Sequence, residues 1–365
     1  MRCWAEIDLD ALRHNAAVVR EQIGPHPRIL AVVKANAYGH GMLEVAGALA
    51  DVTDQFGVAS VAEARTLAAA LPRAGITLLA PALPDEREDV VRAGCLPPVS
   101  SFEEAAAFSA LSRGKKVPIH LAIDTGMGRI GVWEEEAVET ARKIRRLPGV
   151  EIAGVGIHLP VADEDAMFTS AQLSRFAALL GKLGGAPAAH CLNSAGVIRF
   201  PESAHAMARA GLMLYGSSPI AEFQDRLRPV MTLKTRVSLV RDVGPGRGIS
   251  YGRTYITKAP MRVATLAAGY ADGYHRRLSG QDAEVLIHGR RCPVLGRVTM
   301  DQIMVDVTPL AGVSPGDEAI LFGSGILAAE LAQKAGTIAW EIFTGIGSRV
   351  ERIYLNACSR SSSTN

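Results

Sequence analysis

The sequence has no surplus of either charge. Its 39 lysines and arginines stand against 37 aspartates and glutamates, a net charge of +2, so neither nucleic acid nor an anionic membrane is expected as the main partner. No apolar run approaches the roughly 18 residues that a spanning helix needs. The opening MRCWAEIDLD holds no basic stretch followed by an apolar segment, so no signal peptide is read there. The five cysteines, Cys3, Cys95, Cys191, Cys292 and Cys358, are scattered, odd in number and free of any CxxC pair. No metal site or disulfide framework is expected from them; they are read as inert thiols of a protein in the reducing cytoplasm. No internal repeat is visible.

What is present is an ordinary globular composition, 48% apolar and 21% charged over 365 residues, enough for about two domains with a substantial core. Through the first two-thirds, short apolar runs recur: RILAVVKA (28–35), QFGVAS (55–60), ITLLAPAL (76–83), CLPPVSS (95–101), VPIHLAIDTG (117–126), EIAGVGIHL (151–159), HCLNSA (190–195) and HAMARAGLMLYG (205–216). Helix-like stretches such as VAEARTLAAAL (61–71) and FEEAAAFSAL (102–111) lie between them. Apolar strands alternating with helices mark a parallel α/β sheet. Eight of them suggest a (β/α)8 TIM barrel, with a doubly wound sheet left open by periodicity alone. After Arg228-Pro229 the runs turn β-like and closely spaced, with turn signals GPGRG (244–248) and SPGD (314–317) and one helix at ILAAELAQKAG (326–336). The expected organisation is a barrel domain, 1–228, and a mostly β domain, 229–365. The first ten or so residues are expected to pack with the β domain, and the tail 358–365 to be disordered. GPGRG lacks a following helix and reads as a hairpin turn, not a dinucleotide loop.

A parallel barrel gathers its chemistry at the C-terminal ends of its strands. That rule places Lys34, Asp124, Arg129, His158, Asn193-Ser194, Arg209 and Gly211 around one mouth. A lysine in AVVKANAYGHG, where an apolar strand breaks into a Gly-rich turn, suits a Schiff base with a phosphate-ester cofactor. Ser194 and the backbone N–H groups at Gly211-Leu212 would cradle the phosphate.

On AVVKANAYGHG (31–41), DTGMGRIG (124–131), CLNSAG (191–196), RAGLMLYG (209–216), GISYGRTY (248–255), LAAGYADGY (266–274) and MDQIMVDV (300–307), the chain resembles the bacterial alanine racemases over nearly its whole length. That resemblance implies a pyridoxal-phosphate enzyme of fold type III that interconverts L- and D-alanine, supplying D-alanine for peptidoglycan. It implies a homodimer whose sites combine one subunit's barrel with the other's β domain. Lys34 matches the lysine that carries pyridoxal phosphate, and Tyr251 the tyrosine offered by the partner subunit. Arg209 matches the arginine facing the pyridine nitrogen, Arg129 the one near the cofactor phenolate and substrate carboxylate. His158 matches the histidine behind the arginine–tyrosine network. Tyr38, Asn193, Ser194, Gly211, Leu212 and Ser348 fall on the cofactor side. Met300, Asp301 and the gate tyrosine Tyr270 fall on the substrate side.

Racemisation removes the α-proton from one face and returns a proton to the other, so it needs a base on each face. The resemblance makes Lys34 and Tyr251 those two bases. A phenol ordinarily titrates at about 10, so Tyr251 needs cationic neighbours, for which Arg129 and, through His158, Arg209 are the candidates. Three departures from the family pattern stand out. Ala122 occupies the position of a carbamylated lysine that braces the arginine in many members. Ser348 replaces a phosphate-binding tyrosine. GIHLPVADEDAMF departs from the commoner threonine-histidine-phenylalanine start at the sixth strand. The rival readings are a serine or other small amino-acid racemase, a decarboxylase of basic amino acids and a non-catalytic pyridoxal-phosphate carrier. A decarboxylase would need an acidic residue at Arg209, and a carrier would need no β domain.

Overall fold

The computed structural model describes residues 1–184 and 188–356; the tail expected to be disordered lies outside them. The chain divides into two compact units. One comprises Leu12–Ala37 and Met42–Leu227; the other comprises Met1–Ala11, Tyr38–Gly41 and the chain from Arg228 onward.

The first unit is the barrel. Its strands are Arg28–Val32, Gln55–Val58, Gly75–Leu78, Pro98–Val99, Val117–Asp124, Val150–Gly156, Ala189–His190 and Met207–Ala210, and neighbours pair in parallel in chain order. Met207–Ala210 returns to pair with Arg28–Val32. A parallel bridge between Thr77 and Leu96 joins the remaining gap, with Leu96 N–H donating to Ile76 O at 2.9 Å. Sequential order around a ring excludes a doubly wound sheet, in which the order reverses. The strands are apolar on both faces, as burial on both sides demands: Ile29, Leu30 and Ala31 are wholly buried. Each of the eight apolar runs overlaps one strand.

Helix starts follow local chemistry. Ser60 and Glu63 form a reciprocal capping box on Val61–Ala70, and Ser101, Asp165 and Asn193 cap Phe102–Ala110, Ala166–Lys182 and Ser194–Arg199. Helix Ala137–Ile144 buries Ala137, Ala141 and Ile144, the four- and three-residue spacing of one helical face.

The second unit is built on an eight-stranded sheet. Its order is Met261–Leu266, Ile303–Asp306, Arg290–Leu295, Glu284–Ile287, Glu318–Phe322, Met231–Val243, Cys3–Asp8 and Glu351–Leu355. The thirteen-residue strand Met231–Val243 also pairs with Met261–Leu266, so the first six strands of the order close on themselves and Cys3–Asp8 and Glu351–Leu355 extend beyond them. The β-like runs after Arg228-Pro229 form strands, and the expected helix forms as Ala328–Ala335. Cys3–Asp8, Glu351–Leu355 and a second helix, Ala339–Thr344, were not anticipated. The buried face of Cys3–Asp8, with Ala5 opposite Leu233, explains the apolar start of the chain. Among the described residues no helix is long and apolar enough to cross a membrane.

Candidate active site

Lys34 lies two residues beyond the first barrel strand, where the chain makes a left-handed turn. Ala35, Asn36, Ala37 and Tyr38 have φ of 51, 54, 54 and 53°, a conformation that costs L-residues roughly 1–2 kcal/mol each. Four in succession require compensation. Ala37 N–H donates to Val33 O at 2.8 Å. Asn36 Oδ1 accepts from Met42 N–H at 2.9 Å. Ala35 N–H donates to Glu63 Oε1 at 2.7 Å. The lysine is half-buried. Burial holds its ammonium below the usual range, Arg129 adds to that effect, and Glu63 opposes it.

Arg209 comes from the eighth strand and is buried in the barrel. Its guanidinium donates to Ile157 O at 2.8 Å and Cys191 O at 3.1 Å, and contacts Nδ1 of His190 and, at 3.3 Å, Nδ1 of His158. None of these partners is a carboxylate. Burial lowers Arg209 to about 10, which leaves it a cation at neutral pH. The three histidines around it are held neutral. Burial, then the nearby cations, push His158 down to about 3 and His120 to about 4, and His190 falls well below its ordinary value. His190 Nε2 meets His120 Nδ1 at 3.2 Å, so a chain of polar groups runs through the barrel interior. Gly156 makes room for it, since a Cβ there would overlap the His190 ring. His120 and His190 were missed from the sequence. Their signal was a histidine inside each of two apolar strand runs.

Arg129 lies in the loop after Val117–Asp124. Asp124 shapes that loop by accepting N–H groups from Gly126, Met127 and Arg129 at 2.8, 2.9 and 3.1 Å. Gln172, wholly buried, donates to Thr125 Oγ1 at 2.7 Å and to His158 O at 3.0 Å, and Arg175 donates to Thr125 O at 3.0 Å. These bonds fix the backbone that carries Arg129. The field of Arg129 reaches Lys34, His158 and Arg209, so the four sequence-predicted barrel residues share one electrostatic neighbourhood in which His158 stays neutral.

At the loops after the seventh and eighth strands, Ser194 Oγ accepts from Gly211 N–H at 3.2 Å and Met213 N–H at 3.3 Å. Gly211 N–H was expected to point into a cradle; here it donates to the serine. Asn193 is occupied by its cap, accepting from Gly196 N–H at 2.9 Å and donating to Leu159 O at 3.0 Å. Leu212 opens a short helical turn, Leu212–Tyr215.

The other predicted residues belong to the second unit. Tyr251 is 72% exposed, on a turn between the paired segments Gly248–Ile249 and Tyr255–Ile256. Ser250 has φ of 63° there and its hydroxyl donates to Arg297 O at 2.6 Å. Tyr270 and Met300 are also exposed and their loops are joined: Tyr270 N–H donates to Thr299 O, and Ala271 N–H to Met300 O, each at 3.0 Å. Asp301 pairs with Arg349 at 2.9 Å, and Arg349 grips buried Asp272 at 2.7 and 2.9 Å. Ser348 is exposed next to it. The Tyr38 hydroxyl is buried, shares a hydrogen bond with Trp340 and is pushed up to about 12.

Residues 7–219 match the model of the alanine racemase N-terminal domain, and residues 230–354 that of the C-terminal domain. An alanine racemase of Halothermothrix orenii is 41% identical over 97% of both chains. The chain belongs to the alanine racemase family. A solved alanine racemase of Clostridium difficile 630 superposes with a TM-score of 0.92 at 35% identity, over 98% of this chain and 97% of that one. An alanine racemase of Bartonella henselae, solved with covalently bound pyridoxal phosphate, has a TM-score of 0.91 at 30% identity, over 97% of this chain and all of the other. The barrel followed by a β unit is thus the family's architecture. Ala122 is half-buried on its barrel strand.

Proposed function

We propose that the chain is an alanine racemase that interconverts L- and D-alanine with pyridoxal 5'-phosphate held on Lys34. The observation that carries this reading is the pairing of a half-buried lysine, whose ammonium is held below its usual range, with a buried arginine that has no carboxylate partner among the described residues. The residues fit the cofactor. Lys34 is an amine poised for a carbonyl, Ser194 offers a hydroxyl near the barrel's usual phosphate loops, and Arg209 offers a charged donor that an aromatic nitrogen can accept from.

Bound pyridoxal phosphate supplies an electron sink that acidifies the substrate's α-carbon. Lys34 Nζ takes and returns the α-proton of D-alanine, and the Tyr251 hydroxyl that of L-alanine. Arg129 receives the substrate carboxylate together with the backbone at Met300, and Tyr270 guards the entrance. Arg209 cannot readily surrender a proton, so it would donate a hydrogen bond to the cofactor's ring nitrogen without protonating it, which would keep the electron sink weak. His158 and His190 keep that guanidinium oriented while remaining neutral. The bases come from different units, and Tyr251, Met300 and Tyr270 are all exposed. Those facts support a homodimer in which each β unit completes the partner's barrel. The resemblance to alanine racemases supports a cytoplasmic dimer that supplies D-alanine for peptidoglycan.

A chiral assay of the purified protein against L-alanine, L-serine and larger L-amino acids tests the reading. Equilibration of the alanine enantiomers, faster than of serine, is the expected result. Pocket size separates the two substrates by only about 1–3 kcal/mol, so turnover of serine alone would change the substrate and leave the chemistry standing. No racemisation of any amino acid by cofactor-loaded protein would overturn it.

A further inference from the structure

The left-handed turn that carries Lys34 is anchored to the barrel by one carboxylate. Glu63 spends both oxygens on backbone N–H groups. Oε1 accepts from Ala35 at 2.7 Å, and Oε2 accepts from Ala59 at 2.8 Å and Ser60 at 3.3 Å. The last two belong to the entry of helix Val61–Ala70, where Glu63 is the acidic half of the capping box with Ser60. A capping box needs only the bonds at the helix entry. The bond to Ala35, 28 positions back in the chain, is additional, and it reaches the residue next to Lys34.

We propose that Glu63 is a positioning residue for Lys34: its carboxylate locks the strained turn that presents the amine and faces the lysine with a compensating negative charge. The inference rests on Lys34 being the cofactor lysine.

The chemistry of the bonds makes the carboxylate specific. Three N–H groups converge on two oxygens, so both ends must accept. A glutamine would present an NH2 to one side and lose at least one of these bonds. An aspartate is one methylene shorter. Four successive non-glycine residues near φ of 50° persist only where surrounding structure over-determines them, and the Ala35 bond acts on the first of the four. The charged groups whose fields reach Lys34 are Arg129 and Glu63, and His158, itself held neutral, lies within the same field. Glu63 is the only anion of that set.

The control is Ser60→Ala. It removes the serine half of the same capping box, where Glu63 N–H donates to Ser60 Oγ at 3.2 Å, and touches neither Ala35 nor the charge. Full-length wild type, Glu63→Gln, Glu63→Ala and Ser60→Ala are stripped of cofactor, and acylation of Lys34 is followed against pH by peptide mass spectrometry. Uptake of pyridoxal phosphate is titrated separately by its visible absorption. In both Glu63 variants the acylation profile should move to lower pH, with labelling at pH 7 rising about threefold as the compensating charge is lost. Affinity for pyridoxal phosphate should fall about tenfold or more as the turn loosens. Ser60→Ala should lose thermal stability yet keep the wild-type profile and affinity. Glu63 variants that match Ser60→Ala in profile and affinity would overturn the inference and leave the function intact. A wild-type chain that takes up no pyridoxal phosphate on Lys34 would overturn the function, and the inference with it.

Discussion

Lys34 is costly to keep. Its ammonium is disfavoured in the fold by burial and by Arg129, so the unfolded chain binds that proton more tightly. A base with a depressed folded pKa contributes stability above its unfolded value and loses it as pH falls through the folded one. At neutral pH the penalty is therefore in force. Lys34→Met should give a catalytically dead chain that melts higher than the cofactor-free wild type at pH 7, with the gap narrowing as pH is raised toward 10. A lower melting temperature would show that the lysine packs better than its charge suggests. The histidines extend the same reasoning. His158 and His120 sit at about 3 and 4, and His190 also lies far below its ordinary 6.5. Each contributes stability that is complete above about 6.5 and drains as the pH falls toward its folded value. The slope is about 1.4 kcal/mol per pH unit for each histidine fully charged in the unfolded chain. Urea unfolding at pH 7 and pH 5 should reveal that loss, and His120→Asn should flatten it. Equal stability at both pH values would mean that the histidines are already charged in the fold.

Between residues and the whole fold stand the turns that carry the chemistry. The loops 269–273 and 299–302 are held together by Arg349, whose two bonds to Asp272 and one to Asp301 also raise its own pKa. Asp272 in turn accepts Gly269 N–H at 2.8 Å. Asp301 therefore does for Met300 what a strut does, and its carboxylate is already engaged. Arg349→Leu should leave buried Asp272 unpaired. Because Arg349 is about half-exposed, the loss should be about 1–2 kcal/mol rather than the larger figure for a fully buried pair. KM for alanine should rise more than kcat falls, as steady-state kinetics would read. A fall in kcat alone would place Arg349 closer to the proton transfers. These struts also mark what a sequence can and cannot disclose. The barrel strands were legible because burial on both faces forces continuous apolar runs, and the helices at 61–70 and 102–110 because helix-forming stretches lie between those runs. Cys3–Asp8 was illegible as a strand because its partners lie some 230 and 350 positions away, and no local pattern encodes such pairing. Lys34, Arg129, Arg209 and His158 were legible as residues of one barrel mouth. Glu63 and Gln172 were not, since each reads as an ordinary helix residue until its long-range bonds are seen. The left-handed turn was hidden for the opposite reason: KANAY has no glycine where one would be sought.

At the scale of the molecule, the two proposed bases belong to different units of one chain, and that fixes what assembly must do. Lys34→Ala removes one base and the cofactor's anchor, while Tyr251→Phe keeps the cofactor and should lower racemisation about a hundredfold or more, the usual contribution of a positioned acid or base. Undiminished turnover in both directions would remove Tyr251 from the mechanism. If the partner's β unit completes each barrel, a two-fold dimer completes two sites at once, because each chain gives and receives the same elements. Two dead chains, Lys34→Ala and Tyr251→Ala, then complement each other. Each mixed dimer holds one site with both bases and one with neither, so activity should return to at most half of the wild-type level per dimer. If instead Tyr251 serves the barrel of its own chain, every site in every mixture lacks one base. Co-refolding the two variants, with differently tagged subunits to prove exchange, separates the cases by a chiral assay. Recovered activity that scales with the fraction of heterodimer supports the shared site, and none in proven heterodimers would return both bases to a single chain.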